Sequence, residues 1–246
     1  MSLLLAGACA TSPQVGVRAP YQGASVGTIA IVPFYAINSF SIPDKEFREV
    51  LRSYEESTMR FLSRSGFEVI DTRVLKHHLT ELGVWEEFRE GVALRESLTS
   101  YFEPASPDRG ISIEVATLKR FQEKGWLPAD SLFFGELVYH SQGTCRLDAR
   151  RYTTYAKTNV TREAPGDFPR PCVVSHFQAK LVDAASGQTM WYNRMLLETH
   201  SDRVDMQLVQ ANVSAAVQET LGSGRGIEAF IPPEQQGAET VVETQP

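Results

Sequence analysis

The chain has 246 residues, 42% of them hydrophobic and 22% charged, which is enough apolar material for a packed core. The net charge of −6 offers no general basic face, so a dedicated nucleic-acid binder is excluded, since phosphate neutralisation needs one. No run approaches the roughly 20 consecutive apolar residues that a spanning helix requires, and the three cysteines and five histidines show no zinc-ligand spacing.

The first residues, Met-Ser-Leu-Leu-Leu-Ala-Gly-Ala-Cys9, run from leucines into small side chains and then a cysteine. This resembles the end of a bacterial lipoprotein signal peptide, in which small residues precede the cysteine that becomes diacylated. The resemblance implies that residues 1–9 are a signal remnant ending in the lipidation site Cys9. Residues 10–25, rich in Ser, Pro, Gly and Gln, are expected to be a flexible tether. Ala10 is not the aspartate that retains many such proteins at the inner membrane, so the expected location is the periplasmic face of the outer membrane.

A globular domain is predicted over 26–230. Residues 27–34, Gly-Thr-Ile-Ala-Ile-Val-Pro-Phe, read as a strand buried on both faces and ended by Pro33. Asp44 can start a helix carrying Phe47, Val50, Leu51, Tyr54, Thr58, Phe61 and Leu62 at helical spacing, with Gly66 as its stop. Residues 67–71 alternate like a strand, which completes a strand–helix–strand unit. Residues 72–101 have a helical period, broken at Gly83 and Gly91, followed by a Pro-rich loop over 103–110 and a helix near 113–124. Another strand is expected over 131–139.

An insertion then spans 141–173, with Cys145 and Cys172 at its base. In an oxidising compartment such an isolated pair is expected to form a disulfide that closes the loop; two buried thiols are the alternative. Between the cysteines lie Arg146, Arg150, Arg151, Lys157 and Arg162, interleaved with Tyr152 and Tyr155. A lipid-facing strand must alternate apolar residues outward, and residues 150–159 do not, so a membrane-spanning hairpin is not expected. The basic, Tyr-bearing loop suits a partner protein, an anionic glycan or a phosphate headgroup; a solvated loop stapled for stability is the alternative.

Residues 173–182 alternate, residues 183–188 form a turn with Gly187 available for positive φ, and 189–198 return as a strand: a β-hairpin. A last helix is predicted over 203–222, and residues 231–246 form an acidic, Pro- and Gln-rich tail expected to be disordered. No catalytic constellation emerges. His77 and His78 are adjacent, so on a helix they diverge, one packing and the other solvated. His140 and His176 fall on neighbouring predicted strands, where a pH-sensitive or metal pair is conceivable. Gly222-Ser-Gly-Arg-Gly226 follows a helix instead of joining a strand to one, so it is an exit loop and not a phosphate cradle. The expectation is no enzyme, no cofactor, no metal and no small-molecule substrate.

Four segments, in order, resemble the CsgG-like group of periplasmic lipoproteins, with its penicillin-binding-protein activators and the TolB N-terminal domain. They are Thr28-Ile-Ala-Ile-Val-Pro-Phe34, Ser65-Gly-Phe-Glu-Val-Ile-Asp71, Ala129-Asp-Ser-Leu-Phe-Phe-Gly-Glu-Leu137 and Leu181-Val-Asp-Ala-Ala-Ser-Gly-Gln-Thr-Met-Trp191. The likeness spans residues 26 to 222 and implies a single α/β (α+β) domain with a mixed sheet flanked by helices. It also implies binding to, or assembly with, a cell-envelope partner: a peptidoglycan synthase, or secretion, polysaccharide-export or motility machinery. The alternative it offers is a ring-forming component of an export channel of the curli or Pel type.

Overall fold

The computed structural model describes residues 16–36, 43–95, 110–145, 170–222 and 226–231. Cys9, the loop residues Arg146, Arg150, Arg151, Tyr152, Tyr155, Lys157 and Arg162, and the tail after 231 lie outside them.

The elements in chain order are β1 (Gly16–Val17), β2 (Thr28–Ile31), β3 (Tyr35–Ala36), α1 (Asp44–Arg64), β4 (Glu68–Ile70), α2 (Thr72–Glu81) and α3 (Trp85–Gly91). There follow β5 (Val92–Arg95), β6 (Gly110–Ile113), α4 (Val115–Glu123), β7 (Ser131–Cys145), β8 (Arg170–Asp183), β9 (Thr189–His200) and α5 (Met206–Gly222). The main sheet runs β1-β9-β8-β7-β2-β4, with β3 also on β7; β5 and β6 pair separately. β2 is parallel to both β4 and β7, whereas β7, β8 and β9 form an antiparallel ladder, so the sheet is mixed as expected.

β2 explains the layering. Its alternate residues face opposite ways: Ile29 and Ile31 join a core with α1 and α5, whereas Ala30 joins a core with α2, α3 and α4. A strand covered on both faces must be apolar throughout, which is the run seen in the sequence. Helix α1 ends in a Schellman arrangement. The Phe67 amide donates to the Leu62 carbonyl at 3.1 Å and the Gly66 amide to the Ser63 carbonyl at 3.2 Å, with Gly66 at φ 93°. Both Leu62 and Phe67 are core residues, so the chain is turned into β4 by its own packing.

Three expectations change. Residues 92–95 are strand, not helix: Val92 pairs with Ile113 and Leu94 with Ile111. Val92 and Leu94 are two apart, a strand spacing that a helical stripe can also absorb. Residues 16–24 are not a free tether. Gly16 and Val17 pair with Tyr192 and Trp191 of β9, and Val17 is buried. The ladder also runs beyond the predicted strands. Ser141↔Val174 through Cys145↔Arg170 keep pairing although the β7 residues 141–144 are no longer apolar, so the connection leaves at 145 and returns at 170.

Candidate functional site

The hairpin turn at one end of the ladder forms as its residues demand. The Asp183 carboxylate accepts from the Ala185 and Ser186 amides and the Ser186 hydroxyl, and Gly187 sits at φ 70°. At the other end the ladder carries the base of the insertion. Cys145 and Cys172, 27 positions apart in sequence, are joined by a disulfide, with Cα atoms 5.8 Å apart. Glu198 lies close to both sulfurs, and its Oε1 is 2.7 Å from Nε2 of His200. Two cysteines and a carboxylate would suit a metal, but sulfurs committed to each other are not thiolates and do not ligate one.

Further down the ladder, on the face covered by α5, a chain of polar side chains is sealed in the core. His140, Ser175 and Asn212 are each fully buried. The Ser175 hydroxyl donates to Asn212 Oδ1 at 2.6 Å. Its single proton is thereby engaged, so the 2.8 Å contact to His140 Nδ1 has the ring donating. His140 Nε2 is then the acceptor for the Gln142 amide at 3.3 Å. A ring that donates to the serine is not its base, and both groups are fully buried; this Ser–His contact is structural. Burial pushes the His140 pKa down to about 4, which keeps the ring neutral. Asn212 Nδ2 ties the Val173 carbonyl at 3.1 Å and the Thr199 hydroxyl at 3.0 Å, bridging β8 and β9.

The conceivable His140–His176 pair does not form. β7 has an irregularity between Leu137 and Tyr139, and Tyr139, not His140, stands opposite His176. His176 follows Ser175 directly and so points to the opposite face, where burial and the Arg194 charge lower its pKa to about 4. On that face Glu136, Gln178 and Lys180 are buried, with Gly110 of β6 set against Glu136 and Gln178. The Ile111 amide donates to Glu136 at 3.3 Å; burial raises this carboxyl's pKa against that bond and the Lys180 charge. His78 reaches the Trp126 carbonyl at 3.1 Å, while exposed His77 pairs with Glu81.

Sequence reasoning missed a cleft of about 350 Å³ at the carboxyl ends of β2 and β4. β2 has β4 on one side and β7 on the other, and the chain crosses opposite faces of the sheet to reach them. In open α/β sheets such a reversal leaves a crevice beyond the strand ends. Ile31, Phe34, Leu51 and Met59 form its apolar wall, and Arg48, Arg52, Glu55 and Glu56 line it from α1. Asp71, Thr72 and Arg73 close it at the start of α2. Glu55 accepts from the Phe34 amide at 2.9 Å, and burial is the main force raising its pKa. Asp71 caps α2 by accepting from the amides of Arg73 at 2.7 Å and Val74 at 2.9 Å. The signal in the sequence would have been Arg48 and Arg52 on one helical face, which is common on solvated helices and became meaningful only once α2 stood opposite.

The chain matches no family model and no curated protein. Among solved structures it is similar to lipoprotein GNA1162 from Neisseria meningitidis, at 13% identity over 78% of this chain and 96% of that one, with a TM-score of 0.42. It is similar to the PelC dodecamer from Paraburkholderia phytofirmans, at 10% identity over 89% and 95% of the two chains, with a TM-score of 0.40. The LpoB C-terminal domain from Escherichia coli is similar at 12% identity over 71% and 85%, with a TM-score of 0.32.

Proposed function

We propose that the chain is an outer-membrane lipoprotein, anchored through Cys9, whose periplasmic α/β domain binds a cell-envelope partner through the insertion between Cys145 and Cys172. The observation that carries this reading is the disulfide at the root of that insertion, because such bonds persist in oxidising compartments and are rare in the cytosol. The signal-like run before Cys9 supports the anchor, and the four family-like segments support an envelope role. Arginine and tyrosine, the residues enriched in the insertion, are also those enriched at protein interfaces, which favours a protein partner. The role is binding or assembly; the buried Ser175–His140 contact gives it no hydrolytic machinery.

Two measurements test the proposal. Mass spectrometry of the native protein from membrane fractions is expected to find Cys9 acylated; soluble protein with unmodified Cys9 removes the anchor. A photo-crosslinking residue at Tyr152 or Tyr155 is expected to capture one envelope protein in cells, and Arg150→Glu with Arg151→Glu to abolish capture. Capture of a second copy of this chain, with a ring in gel filtration, favours the export-channel alternative, which a monomer would sink.

A further inference from the structure

The insertion end of the ladder holds more chemistry than its disulfide uses. Gly143 of β7 stands opposite Cys172 of β8, which in turn stands opposite His200 of β9. Cys145 is two residues on from Gly143, and Glu198 two before His200. Because side chains alternate along a strand, both cysteines, Glu198 and His200 project from one face of three adjacent strands. The two sulfurs and a Glu198 carboxylate oxygen all lie within 4.8 Å of one another. Cys172 is 1% exposed and the Glu198 side chain 5%. A neutral disulfide gains nothing from a buried carboxylate set against it, but an opened one does.

Reduction changes the chemistry of the cluster. A dithiol supplies two electrons and two protons, which break the S–S bond into two thiols, and leaves as its own disulfide. Two sulfurs and a carboxylate then converge on one point, and all three are ligand types that zinc takes. A zinc ion replaces the two thiol protons, and its charge offsets those of the thiolates and of Glu198. Ligand atoms about 2.0 to 2.3 Å from a tetrahedral zinc stand about 3.3 to 3.8 Å apart, separations that side-chain rotation on fixed strands supplies. His200 Nε2, 2.7 Å from Glu198 Oε1, is placed to orient the carboxylate.

We propose that the reduced chain binds one zinc ion at the insertion end of the ladder. The ligands are the Cys145 and Cys172 thiolates and the Glu198 carboxylate, with water at the fourth position and His200 as a positioning residue. The ion ties β7 to β8 where the disulfide did, and brings β9 into the link. The site depends neither on the partner of the insertion nor on where the chain is anchored.

The full chain carrying Cys9→Ser, so that these are its two remaining cysteines, gives the test. Reduced with a phosphine, desalted without oxygen and titrated with zinc, it is expected to bind one ion per chain. Cobalt in place of zinc is expected to show a sulfur-to-metal charge-transfer band, and the oxidised chain to bind neither ion. Glu198→Gln keeps the side chain's shape and is expected to weaken zinc binding about tenfold or more, while its disulfide still forms on oxidation. His200→Ala is expected to raise the zinc Kd and leave the oxidised chain's thermal midpoint in place. Cys145→Ser is expected to lose both the ion and the band. No binding by the reduced chain at micromolar zinc overturns the proposal. So do cobalt bound without the band, equal binding by the oxidised chain, or undiminished affinity in Glu198→Gln. A zinc Kd unchanged in His200→Ala overturns the positioning role.

Discussion

A buried imidazole is tolerated only while it stays uncharged, and His140 and His176 are both held that way inside the ladder. In the unfolded chain each titrates near 6.5, and in the fold near 4, so between those values the unfolded state binds more protons. Stability is therefore complete above about pH 6.5 and declines as the pH falls toward 4, by up to about 3 kcal/mol for each ring. Glu136 works in the other direction, since its raised pKa makes the folded state the better proton acceptor. The informative quantity is accordingly the difference between the parent and His140→Gln in urea unfolding, followed from pH 7.5 to 4.5. The parent is expected to lose stability faster on acidification; parallel curves would mean that His140 takes up its proton as readily in the fold as in the unfolded chain.

Among the elements, the contact between β7 and the residues after β2 shows how two segments about 100 residues apart in sequence are fitted to each other. Gly135 lies in the middle of β7, opposite Ala179, and a Cβ placed on it would come within 2.6 Å of the Phe34 ring. The missing side chain is the seat of Phe34, whose ring centroid then lies 5.7 Å from that of Phe177 and 6.0 Å from that of Phe133. Gly135→Val is expected to cost about 2 to 3 kcal/mol by overpacking, with part returned by adding Phe34→Leu. A double-mutant cycle in urea checks this, and strict additivity would show that the two residues do not compete for the space. The strong periods were legible in the sequence: the hairpin of β8 and β9, the stripe of α1 and the uninterrupted apolar run of β2 all follow from burial that repeats. β5 was not, because Val92 and Leu94 fit two periods, and β1 was not, because two paired residues have no period to show. The cleft was hidden for a different reason. Arg48 and Arg52 belong to α1 and Arg73 to α2, and they meet only through the parallel pairing of β2 with β4.

Over the whole molecule, chain connections leave the central ladder at two levels. Segment 37–42 leaves after β3, which runs alongside Glu136 and Leu137, and segment 96–109 returns at Gly110 beside Glu136 and Gln178. Segment 146–169 leaves and returns across the disulfide at the far end of the same ladder. A closed loop of this length removes chain entropy from the unfolded state, so Cys145→Ser with Cys172→Ser is expected to lose about 3 to 4 kcal/mol. Urea midpoints with and without reductant measure it, and a change below about 1 kcal/mol would place the bond's role outside stability. The same bond has a mechanical side. A partner pulling on the insertion would not peel β7 from β8 one pair at a time, because the covalent link sits where such unzipping must begin. Both strands would be drawn in the same direction together, and the load would pass as shear into β2 on one flank and β9 on the other, with Asn212 pinning β8 to β9. Shear strains many backbone bonds at once, so the insertion is a handle by which the whole sheet can be held under tension.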